Sequence, residues 1–131
     1  MKTYKQFVTM DSNEKMVVFN STLKIKKFRI SFLRFLTAEV GGTTLFILVD
    51  GMNQHPISGY GFSEYTKVLP IYSGADLDYM YVADASLFDS EFEEPITLSR
   101  LKIRALVNGE FNDTQISTLN PLRLEIEIIT E

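Results

Sequence analysis

Residues 121–130 read Pro-Leu-Arg-Leu-Glu-Ile-Glu-Ile-Ile-Thr. Leu122, Leu124, Ile126 and Ile128 alternate with Arg123, Glu125 and Glu127. A period of two marks a strand with one face buried and the other wet. The alternation recurs at Leu101, Ile103, Ala105 and Val107, with Lys102 and Arg104 between the first three. It predicts an all-β chain, an antiparallel β-sandwich of half-buried strands. The charged residues of both stretches, Lys102 and Arg104, Glu125 and Glu127, are expected to face solvent and to pair with one another if the two strands are neighbours.

The chain has 131 residues, enough for one domain spanning 1–131. With 45% hydrophobic residues it has the material for a real core. It has no cysteine, which excludes disulfides, thiolate zinc sites and cysteine nucleophiles. The absence of disulfides in a small domain points to a reducing compartment. No apolar run follows the lysines of the N-terminus, so residues 1–7 do not read as a secretory signal. The longest apolar run beyond them, residues 45–49, is far short of the roughly 20 residues of a membrane-spanning helix. The expected product is soluble and intracellular.

The net charge of −4 hides an asymmetry. Residues 1–38 carry eight bases against two acids, and residues 39–131 carry five bases against fifteen acids. Halves of opposite sign attract within one molecule or between copies.

Along the chain, residues 4–10 read as a short strand or as part of a mobile arm over residues 1–10. Residues 15–20 form a strand closed by Asn20-Ser21. In residues 22–40, Leu23 and Ile25 share one parity and Phe28, Ile30 and Phe32 the other, which predicts a β-bulge at Lys26-Lys27, or two strands meeting at a bend there. A helix is the rival there, since Phe28, Phe32 and Phe35 fall at i, i+4 and i+7, but β-branched and aromatic richness favours a strand. Residues 43–50 are apolar on both parities and predict a central strand. Residues 51–64 read as an exposed loop. Pro70 within residues 65–73 marks a sheet edge or bulge. Residues 78–84 form a further strand. Residues 86–94 predict one short helix, with Ser86 and Asp89 as its capping residues and Pro95 as its stop. Residues 96–107 form a long strand closed by the turn pair Asn108-Gly109, and 122–130 the last. About eight strands without repeated helices argue for a single jelly roll.

The residues offer little chemistry. His55, the only histidine, cannot build a two-histidine metal site and reads as a surface residue. No Gly-x-Ser-x-Gly elbow supports a triad around it. The stretch Ser58-Gly59-Tyr60-Gly61-Phe62-Ser63 lacks the endings of phosphate-binding loops. Its aromatics could stack on a sugar or anchor a protein, so His55, Tyr60, Phe62 and Tyr65 form the candidate contact loop. The acids Asp76, Asp78, Asp84, Asp89, Glu91, Glu93 and Glu94 read as a solvated face, with calcium as the sharper alternative. The bases Lys24, Lys26, Lys27, Arg29 and Arg34 lie near aromatics, but a pI of about 5.0 argues against nucleic acid. No cofactor and no enzymatic activity are expected.

Two stretches near the ends of the chain carry a resemblance. Asn20-Ser21-Thr22-Leu23-Lys24-Ile25 followed by Phe28-Arg29-Ile30-Ser31-Phe32 resembles the opening strands of small single jelly-roll capsid proteins of eukaryotic DNA viruses. Residues 98–109, closing on Asn108-Gly109, and the final Leu124-Glu125-Ile126-Glu127-Ile128 resemble their last strands. The group comprises the minor capsid and penton proteins of polinton-like viruses, virophages and giant viruses. The resemblance implies a subunit that works by assembly, with homo-oligomers, a pentamer first among them, and other capsid proteins as partners. It implies a virion location after synthesis in host cytoplasm, and no catalytic residues. The competing reading is a β-sandwich module that binds carbohydrate or protein through residues 52–65.

Overall fold

A computed structural model describes residues 2–36, 44–51, 67–72, 78–82, 90–107 and 122–131. These contain seven strands: β1 (Thr3–Met10), β2 (Glu14–Leu36), β3 (Thr44–Val49), β4 (Lys67–Tyr72), β5 (Asp78–Val82), β6 (Ser90–Val107) and β7 (Leu122–Thr130). No helix occurs among the described residues. The strands form one sheet in the order β1-β7-β2-β6-β3-β4, with β5 paired to β2 off that path. Every pairing is antiparallel. The chain is therefore all-β, as its alternation predicts.

The spine of the sheet is β2, 23 residues long. Along one edge it pairs first with β6, from Glu14 to Phe28, and then with β5, from Phe32 to Leu36. Along the other edge it pairs with β7, from Ile25 to Arg34. Such a strand can serve two partners because bulges re-aim it. The ladder to β6 shifts between Val18 and Leu23 and again between Ile25 and Lys27. The ladder to β7 shifts between Ile25 and Lys27 and between Ile30 and Phe32.

The shifts at Ile25/Lys27 and Ile30/Phe32 exchange the buried and exposed parities, whereas the one between Val18 and Leu23 keeps Val17 and Leu23 on the same side. Leu23 and Ile25 are buried, then Phe28 and Ile30, then Leu33 and Phe35. The expected bulge at Lys26-Lys27 is present. A second at Ser31, unforeseen, turns Phe32 outward, so it does not join Phe28 and Ile30 in the core. At the first, residues 92–95 of β6 bow out opposite Lys26. The Lys26 ammonium donates to the carbonyls of Phe92 (2.5 Å) and Glu93 (3.2 Å), filling the gap that the bow leaves in the ladder.

One core gathers the inward faces. It takes Leu122, Leu124, Ile126 and Ile128 from β7, Leu101, Ile103, Ala105 and Val107 from β6, and Leu45, Ile47 and Val49 from β3. Val8 and Met10 of β1 and Ile71 of β4 complete it at the margins. Pro70 sits on β4, at the end of the strand order, as its missing N–H requires.

Several expectations are corrected. Residues 3–10 are not an arm: β1 is paired with β7 from Thr3 to Met10. Asn20-Ser21 does not close a strand, because β2 runs through it on the irregular step between Val18 and Leu23. Residues 90–94 are strand, not helix, and Pro95 lies inside β6. Phe92, expected on the helix face, is instead a core side chain. The remainder of that proposed helix lies outside the described residues. Finally, β6 and β7 are not neighbours, because β2 runs between them. Their charges find other partners: Lys102 pairs with Glu14 (2.9 Å), Arg104 with Asp50 (2.8 Å) and Glu127 with Arg29 (2.9 Å). Glu127 does not face solvent either; it is buried.

Candidate functional site

The loop residues singled out by sequence, His55, Tyr60, Phe62 and Tyr65, lie outside the described residues. So do Asp76, Asp84 and Asp89 of the acidic stretch. Of the remaining acids, Asp78 is paired through its backbone with Leu36 and Glu91 with Lys27, while Glu93 and Glu94 are exposed on β6. Among the described residues no three histidines, cysteines or carboxylates gather where they could hold a metal ion. No helix among them is long and apolar enough to cross a membrane.

The basic run has internal partners. Lys24 bridges to Glu131 (3.2 Å), Lys26 holds the bowed carbonyls of β6, and Arg29 is buried against Glu127. Lys27 and Arg34 are also engaged. Cations that looked like one patch in sequence are therefore divided among separate structural roles.

The most developed surface feature lies between β1 and the first half of β2. These strands follow one another through residues 11–13, yet no ladder joins them among the described residues. The turn directs them apart. Ser12 Oγ donates to the carbonyl of Glu14 (2.9 Å), and the Asn13 carbonyl accepts from Ala105 N (2.9 Å), committing the chain to β6. At the other end Thr130 N donates to the Lys2 carbonyl (2.9 Å), committing β1 to β7. Among the described residues, each strand is left with one edge that no other strand pairs. Among the described residues the unpaired edge of β2 runs from Lys15 to Leu23, because β7 joins it only from Ile25 and Glu131 N already donates to the Lys24 carbonyl (3.0 Å).

A groove separates the two edges. One cavity, about 190 Å³, is lined by Tyr4, Lys5 and Gln6 of β1, by residues 18–21 and Leu23 of β2, and by Ile126 and Ile128 on the inward face of β7. A second, about 350 Å³, continues it between residues 6–9 and 15–18. The floor therefore reaches core side chains: Leu23, Ile126 and Ile128 in the first, Val8 and Val17 in the second.

The exposure pattern of β1 marks the same opening. Tyr4, Gln6, Val8 and Met10 share one parity and so one side of the strand. Val8 and Met10 are buried, whereas Tyr4 is 40% exposed and Gln6 is exposed too. On that side, the first half of β1 looks into the groove instead of the core. The Phe7 carbonyl takes its hydrogen from the side-chain amide of Gln6 (3.1 Å).

The opposite side of β1 carries an exposed aromatic contact. Phe7 and Phe32 both stand opposite Glu125 in register, and their rings meet edge to face with centroids 6.5 Å apart. Phe7 is 67% exposed. Ser31, the bulged residue, donates to the Glu125 carboxylate (2.7 Å) and fixes that row.

The groove is not evident from the sequence. Its signal is the polar first half of an alternating strand, but residues 4–10 are as compatible with an arm as with a strand. No family, curated protein or solved structure matches the chain.

Proposed function

We propose that this chain is a structural subunit of a virus particle, a penton or minor capsid protein that acts by self-assembly. Its sheet is read as a single jelly roll. A sheet folded over on itself would bury its inward residues in the one cluster they share, and a long strand switching partners at bulges makes such a turn possible. The resemblance of the two ends of the chain to viral jelly-roll proteins agrees with this reading.

The observation that carries the proposal is the apolar surface left open on regular strands. Phe7 is 67% exposed, Val18 71% and Met80 59%. Large apolar side chains on strands, beside unpaired strand edges, are surfaces for packing against another chain. Copies would meet through these faces around a rotation axis, with other capsid proteins as further neighbours and the virion as the final location. Native mass measurement tests the proposal. The expected result is a discrete ring, a pentamer first; a strict monomer at high protein concentration overturns it.

A further inference from the structure

We propose that the groove between β1 and the first half of β2 is a docking site for one extended, acidic strand of a partner protein. The inference does not depend on the ring: the groove is a property of a single chain.

The backbone supplies the first argument. Lys2 accepts from Thr130, so β1 residues of that parity turn their peptide groups toward β7. The peptide groups of Thr3, Lys5, Phe7 and Thr9 then point to the free edge. The Gln6 side chain donating to the Phe7 carbonyl is a substitute for a missing strand. Among the described residues, the facing edge of β2 has no strand partner from Lys15 to Leu23; the Glu14 carbonyl takes the Ser12 hydroxyl and the Lys24 carbonyl takes Glu131 N. A strand laid in the groove meets hydrogen-bonding groups on β1, on β2, or on both, as in recognition by strand addition.

Shape and charge supply the second and third. Leu23, Ile126 and Ile128 underlie one cavity, Val8 and Val17 the other. The smaller, at about 190 Å³, has room for a side chain of the guest. Alternate residues of the guest would fill these cavities. Lys5 lines the first cavity and Lys15 the second, both are exposed, and neither has an ion-pair partner among the described residues. Lys24 stands at the far end beside Glu131. The guest therefore carries carboxylates between its apolar residues. The opposite edge of the sheet is a poorer template for a guest strand, since β4 is interrupted by Pro70 whereas β1 has no proline.

The test uses the full chain and a capped seven-residue peptide, Glu-Val-Glu-Val-Glu-Val-Glu, with its lysine-for-glutamate counterpart as control, followed by calorimetry. The acidic peptide is expected to saturate one site and the basic one to show no binding. Lys5→Glu with Lys15→Glu should weaken the acidic peptide at least about tenfold, the effect of losing roughly 1.4 kcal/mol. Thr9→Pro should weaken it too, since it removes an N–H only from the free edge. Should Thr9→Pro fail to fold, judged by its far-ultraviolet spectrum, the charge reversal and the control peptide still decide. No saturable binding, equal binding of both peptides, or binding unchanged by the charge reversal overturns the proposal. Self-association that the charge reversal abolishes, with no peptide bound, overturns it in favour of a second copy as the occupant. A monomer that binds the peptide sinks the ring and leaves this site standing.

Discussion

Arg29 on β2 and Glu127 on β7 stand opposite one another, and the guanidinium Nε (3.1 Å) and Nη2 (2.9 Å) both donate to one carboxylate oxygen, Oε2. Each residue is only 7% exposed. Two charges this deep have little water to fall back on, so each depends on the other. The pair also ties register, because a slip of one residue would bury Arg29 beside a different parity of β7. Glu127→Gln is expected to destabilise the fold by about 3–5 kcal/mol, the range for removing one partner of a buried pair. The double change Arg29→Met with Glu127→Leu should recover most of that loss. Equilibrium denaturation of the three variants checks both statements.

Lys26 acts as a staple across a bowed strand. Its ammonium holds the carbonyls of Phe92 and Glu93 where the β2–β6 ladder is broken. Lys26→Met keeps the stem and removes the donors. A loss of about 1.5–3 kcal/mol is expected, the usual size of a hydrogen bond to a charged group. Faster amide exchange confined to residues 90–96 should accompany it, while exchange in β7 stays slow.

Among the described residues Phe28 and Phe35 are the largest fully buried side chains, on either side of the Ser31 bulge. Phe28→Ala and Phe35→Ala should each cost about 3–5 kcal/mol, for lost transfer energy and the cavity left behind. Ile126→Val, which removes one methyl from the inward face of β7, should cost about 0.5–1.5 kcal/mol. Denaturant midpoints with unchanged slopes would match this picture.

Phe7 and Val18 are expected to matter between copies more than within one. Surface changes of this kind alter folding stability by about 0.5 kcal/mol or less. Beyond the Phe7–Phe32 edge contact, worth about 0.5–1.5 kcal/mol, Phe7→Ser with Val18→Ser should therefore change the unfolding midpoint little. Subunit association should weaken by about tenfold or more, because burying such side chains contributes roughly 1.5–3 kcal/mol each. Sedimentation of the double variant against the unaltered chain reads this directly.

Much of the local structure was legible because alternation has a direct physical cause. Side chains on a strand point to opposite sides in turn, so Leu122, Leu124, Ile126 and Ile128 announce a buried face without reference to any partner. The bulge at Lys26-Lys27 was readable as a phase change in the same pattern, and Pro70 as an edge. The Ser31 bulge was not, because Phe32 is apolar whichever way it faces. The helix expected near residue 92 failed for a related reason: Phe92 at helical spacing from Phe88 also fits a strand that bows out, and the Lys26 staple supplies the missing support from 66 residues away.

By itself, then, the sequence determined that the chain is built of half-buried strands, where most of them run, and which faces are greasy; these follow from rules that act within a few residues. Only the tertiary structure decided which strands are neighbours, that β2 parts β6 from β7, that Glu127 is buried against Arg29, and that β1 and β2 face each other unpaired across a groove. Partner choice is a competition among distant segments for the same edge, and no local pattern of residues records its outcome.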